Sequence, residues 1–101
     1  MMVHRIDPDR VVAFVRHLNI TADVGWRTVN ADYDSWAMDI RVNDVHLEIS
    51  WGSLTGFGGT DREEERRLAE SDDYNPFAPF SHSFKSMKDA EDWIRPRIIM
   101  E

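Results

Sequence analysis

The run Trp36-Ala37-Met38-Asp39-Ile40-Arg41-Val42-Asn43-Asp44-Val45-His46-Leu47-Glu48-Ile49-Ser50-Trp51 decides the fold. Apolar and polar residues alternate on both sides of Asn43-Asp44, the period of a strand whose two faces meet different surroundings. Asn and Asp tolerate the left-handed backbone of a two-residue primed turn. Closing a hairpin there sets Val42 opposite Val45, Ile40 opposite Leu47, Met38 opposite Ile49 and Trp36 opposite Trp51. These apolar side chains then share one face. A slip of one residue would send one strand's set to solvent, so the pattern specifies the register as well as the strands.

Upstream, Val24, Trp26 and Thr28 alternate with Gly25, Arg27 and Val29, an imperfect period of two that predicts a first strand, with the turn at Asn30 to Asp34. Before it, Asp7-Pro8-Asp9-Arg10 has the marks of a helix start: a capping Asp, a Pro whose missing N–H is not needed there, and an acid against the dipole. Val11, Val12, Phe14, Val15 and Leu18 follow at helical spacing, and the helix is expected to stop near Asn19.

Downstream, Gly52 to Gly59 holds four of the five glycines and reads as an irregular connection. Thr60-Asp61-Arg62-Glu63 has capping-box spacing, which predicts a short solvated helix over Asp61 to Glu70. Tyr74-Asn75-Pro76-Phe77-Ala78-Pro79 reads as extended chain, so 52–79 forms one long acidic and glycine-rich connection. Phe80, His82 and Phe84 then alternate as a short last strand. Ser86-Met87-Lys88-Asp89 caps a second helix whose apolar face is Met87, Ala90, Trp93 and Ile94, and which is expected to end before Pro96.

The expected fold is therefore one α+β domain over 1–101, a two-layer sandwich in the order α-β-β-β-β-α. An antiparallel meander of three strands and a short fourth strand carries the N- and C-terminal helices on its apolar face.

Composition bounds the function. The 101 residues are 42% hydrophobic and 11% aromatic, enough for a core and against global disorder. No apolar run is long enough for a membrane helix, and Met1 to Asp7 lacks a signal peptide's apolar stretch, so a cytoplasmic protein is expected. Without cysteine there are no disulfides, no thiolate catalysis and no thiolate metal site. Ten Arg against two Lys is a balance associated with GC-rich bacterial or phage genomes.

The net charge is -7, from 12 Lys and Arg against 19 Asp and Glu, and it is local. Residues 1–30 have four Arg against three Asp; residues 31–75 hold one Arg plus three more against twelve acids. Such a field repels nucleic acid and anionic membranes and attracts basic surfaces. The plainer reading is that the acids keep a small domain soluble.

On the polar face of the hairpin, the register sets His46 opposite Arg41 and Glu48 opposite Asp39. Two facing carboxylates beside an imidazole are candidates for acid-base or metal work, because mutual repulsion raises one carboxylate's pKa. A solvated sheet face has the same composition. His4, His17, His46 and His82 have no zinc spacing, the glycines fit no phosphate-binding pattern, and no serine lies in a nucleophile elbow. The sequence implies no catalytic residue, metal or cofactor.

The expectation is a non-enzymatic interaction module, of the small acidic inhibitor kind that immunity proteins, antitoxins and phage anti-defence proteins exemplify, some by imitating DNA. It would engage a basic surface of another protein through Asp32, Asp34, Phe57, Asp61, Glu63, Glu64, Glu65, Asp72, Asp73, Tyr74 and Phe77, with large rings as anchors among the acids. It would bind neither nucleic acid directly nor membrane, and would be a monomer or homodimer. The alternatives are a small-molecule site or modest enzyme at Asp39, Arg41, His46 and Glu48, and a structural component that oligomerises through a sheet edge.

Overall fold

A computed structural model describes residues 5–30, 32–70 and 80–99. The elements are α1 (Pro8–Leu18), β1 (Asp23–Thr28), β2 (Ser35–Val42), β3 (Val45–Gly52), β4 (Gly56–Asp61), α2 (Arg62–Leu68), β5 (His82–Ser83) and α3 (Met87–Ile98). The five strands form one antiparallel sheet in sequence order. The fold is the expected α+β sandwich with both long helices on one face.

The central hairpin has the register that the alternation specifies, from Trp36 opposite Trp51 to Val42 opposite Val45. Asn43 turns it in the left-handed region at φ 53°. Trp36, Met38, Ile40, Val42, Leu47, Ile49 and Trp51 are all buried and share one core with Val11 and Val15 of α1 and Met87, Ala90, Ile94 and Ile98 of α3. Asp7 caps α1 by accepting from the Asp9 N–H, and Pro8 takes the first helical position. Ser86 caps α3 through the Asp89 N–H, and Asp89 accepts in return from the Lys85 N–H.

Three local expectations are corrected. Gly56 to Asp61 is a strand, not irregular chain, so the connection at 52–79 contains β4 and then α2, and the short last strand pairs with β4 as a fifth. Gly56, at φ 90°, closes the tight turn from β3. Bulk for β4 comes from elsewhere: a Cβ at Gly58 would overlap the ring of Phe80, and one at Gly59 would press on Phe84 and Trp93. The α2 cap is Asp61, accepting from the Glu63 N–H, while Thr60 lies buried in β4 and accepts from the Ser81 N–H. Lastly, α3 runs past Pro96 to Ile98, because Ile98 is buried in the core and Arg97 lies over the Trp93 ring. That burial outweighs the local cost of a proline near the helix end.

Candidate functional site

The face of the sheet turned away from α1 and α3 carries the odd positions of β1 and β2 and the even positions of β3. Asp39 and Glu48 are opposite each other there, as are Arg41 and His46. The facing carboxylates do not stand alone. His46 Nε2 lies 2.9 Å from Asp39 Oδ1. Arg27, from β1, is 3.0 Å from Asp39 Oδ2 and 3.8 Å from Glu48. Arg62, the first residue of α2, donates to Glu48 Oε2 at 2.8 Å and to Glu65 Oε1 at 2.6 Å.

This lattice reverses the expected electrostatics. Burial works against the Asp39 carboxylate, but the His46 hydrogen bond and the charges of Arg27, His46 and Arg41 outweigh it and hold its pKa below the ordinary value. Burial likewise disfavours the Arg62 cation, which Glu48 and Glu65 more than restore. Asp39 is thus a stabilised carboxylate and not a proton donor near neutrality. Arg41 is exposed, and with Asp23, Gly25, Trp26, Arg27 and Asp39 it lines an open depression of about 310 Å³. Arg62 on Glu48 ties α2 to this face; α2 has no buried residue, and its second anchor, Glu64 on His82 at 2.7 Å, reaches the other side of the sheet, where His82 lies beside the Trp93 ring.

The acidic candidates are scattered among roles. Asp34 pairs with Arg5 at 2.9 Å, Glu63 with Arg66 at 2.7 Å, Glu64 with His82 and Glu65 with Arg62. Asp32 is exposed beside its turn. Asp61 caps α2 and lies 3.7 Å from Arg97. Phe57 is no surface anchor: it is 7% exposed, packed edge-on between Trp36 and Phe84, because β4 turns its odd positions to the core. Asp72, Asp73, Tyr74 and Phe77 lie outside the described residues.

One convergence was not singled out from the sequence. Asp44 of the β2–β3 turn, Asp61 and Glu63 line a single groove of about 430 Å³ with Val45 and Arg97. Asp44 belongs to the acidic middle of the chain, but only the β3–β4 pairing, which sets Asp61 opposite Leu47, brings the start of α2 up to the hairpin turn. Among the described residues no group of three or more His, Asp or Glu is arranged to hold a metal ion, and no helix is long and apolar enough to cross a membrane.

Comparison with protein-family models, with curated proteins and with solved structures returned no match.

Proposed function

We propose that this protein is a non-enzymatic interaction module that receives a basic surface of a partner protein at the acidic end of its sheet. The supporting observation is the groove in which Asp44, Asp61 and Glu63 flank Val45, with Arg97 as the one cation lining it among the described residues. Carboxylates around an apolar floor suit a Lys or Arg side chain, whose stem packs while its charge is met. The long-range field of a chain at -7 favours the same class of partner. Where the partner's basic surface is also its nucleic-acid site, such binding is inhibition, which is the form of the reading that small acidic immunity, antitoxin and anti-defence proteins exemplify. The Asp39, Arg41, His46 and Glu48 face supports a ligand site less well, because both of its carboxylates are held by cations, Asp39 by Arg27 and His46 and Glu48 by Arg62, whereas in the groove Asp61 and Glu63 also have Arg partners but Asp44 has no ion pair among the described residues.

The test is affinity capture from host lysate by the wild type and by D44N/E63Q, a variant that spares the cap Asp61. A basic protein held by the wild type, released at about 0.5 M salt and not held by the variant is the expected result. Equal capture by both proteins would remove the groove from the function.

A further inference from the structure

The two edges of the sheet differ. β5 is two residues long, too short to template another strand, whereas β1 offers six residues with no strand paired on its outer side among the described residues. Long edges are usually blunted by proline, a bulge or charged side chains, lysine above all; β1 has two charges, Asp23 and Arg27, of opposite sign. β1, Asp23-Val24-Gly25-Trp26-Arg27-Thr28, has neither proline nor lysine, its register with β2 is unbroken, and its two opposite charges oppose self-pairing only in registers that set like against like. The edge is apolar at its borders. Of the six exposed large hydrophobic residues described, Trp26, at 42% exposure, lies in it and Val29, at 57%, directly follows it, while Ile20, at 88%, lies three residues before it.

The backbone bonding phase of the free side follows from the paired side. The Val29 N–H donates to the Ser35 carbonyl, so Val29 and Ser35 are a hydrogen-bonded pair. Alternation along an antiparallel ladder then makes Arg27, Gly25 and Asp23 bond inward to β2 and leaves the N–H and C=O groups of Val24, Trp26 and Thr28 pointing out.

We propose that β1 pairs antiparallel with β1 of a second copy of this chain, about a two-fold axis at Gly25. The occupant follows from self-complementarity. Two-fold pairing of one strand with itself can be centred on different residues, and charge separates the choices. Centring on Asp23 or on Arg27 sets like charges against each other. Centring on Val24 or Trp26 leaves both charges facing uncharged positions. Centring on Gly25 sets Asp23 of each copy opposite Arg27 of the other, twice, in non-hydrogen-bonded pairs where side chains come closest. It also sets Val24 opposite Trp26, twice, through the outward N–H and C=O groups; the hydrogen-bonding phase permits this register as it permits the other centrings, and the charges select it. At the axis the two Gly25 backbones meet without side chains, and a Cβ there would have nothing within 4 Å. The chain's acidity does not oppose this contact, since residues 1–30 hold four Arg against three Asp. The interface is isologous and closes on itself, giving a dimer and not a fibre. It extends the interaction-module reading without resting on the acidic groove.

Two measurements on the full chain test it. Sedimentation equilibrium from about 1 to 500 µM should show a monomer–dimer equilibrium. D23R, at an exposed position, should weaken dimerisation at least tenfold, with circular dichroism confirming that the variant is folded; it leaves Arg27 in place against Asp39. Because the chain lacks cysteine, single cysteines report the register directly. G25C should form a disulfide-linked dimer under native oxidising conditions, since facing non-hydrogen-bonded positions lie about 4.5 Å apart, within disulfide range. T28C should not, because two copies of position 28 would be roughly 20 Å apart in this register. A chain that stays monomeric to 500 µM, a dimer indifferent to D23R, or T28C cross-linking as readily as G25C would each overturn the proposal.

Discussion

The ring of Phe80 fills the space in which a side chain at Gly58 would stand, so that a Cβ at Gly58 would meet both the ring and the His82 carbonyl oxygen. The glycine is what lets the chain return across β4. G58A is therefore expected to lower stability by about 2 kcal/mol, as overpacking does elsewhere. F80A alone should cost less, and the double variant should be more stable than the sum of the two losses predicts, because removing the ring opens the space. Recovery stays partial, since the His82 backbone remains in place. Urea unfolding of the four proteins gives the coupling directly; strict additivity would show that ring and glycine do not share this space.

α3 supplies a pair of opposite effects. Ile98 is 1% exposed two residues beyond Pro96. I98A should cost about 2–4 kcal/mol by leaving a cavity. P96A should stabilise by about 1 kcal/mol or more, because Pro96 is exposed, and alanine restores an N–H donor and relieves the clash with the preceding turn. Thermal unfolding of both variants is sufficient. A loss of stability in P96A would mean that the proline shapes the helix end instead of being tolerated there.

These two places also mark where the sequence stops being legible. The hairpin about Asn43 could be read to the residue because alternation encodes both period and face. β4 could not, because three of its six residues are glycine, with no hydropathy to alternate, and the rings that complete it belong to Phe80, Phe84 and Trp93 far along the chain. Pro96 misled in the opposite way: a local steric rule was correct about cost but blind to the burial of Ile98. The polar face was half legible. The hairpin register places Asp39, Arg41, His46 and Glu48 together, but Arg27 and Arg62, which decide the electrostatics, arrive from β1 and α2. The groove at Asp44 needed β4 to exist first.

Arg62 anchors α2, a helix with no buried residue, to Glu48 of β3. R62A should reduce global stability by only about 1 kcal/mol, given the partial exposure of the pair. Its local effect should be larger: amide exchange within Arg62 to Leu68 should rise at least tenfold while the β2 and β3 amides keep their protection. E48Q should give the same pattern with less global loss. A uniform rise across all strands would show that Arg62 supports the sheet itself and not the docking of α2.

A carboxyl whose pKa is lower in the folded state contributes stability that is fully present above its unfolded value and disappears as pH falls through the folded one. Asp39 is such a group, held below its ordinary value of 3.8 against the opposing effect of burial by the His46 hydrogen bond and the charges of Arg27, His46 and Arg41. Its side chain is 35% exposed, so solvent screens the gain, and D39N should cost no more than about 1 kcal/mol near neutral pH. That difference from the wild type should hold as pH falls toward about 4 and then shrink progressively as the folded carboxyl takes up its proton and both proteins come to present an uncharged group to Arg27. Urea midpoints at several pH values check it. A difference that shows no decline at any pH below about 4 at which the wild type is still folded would assign the loss to the shape of the substituted side chain and not to the charge that Asp39 holds between Arg27 and His46.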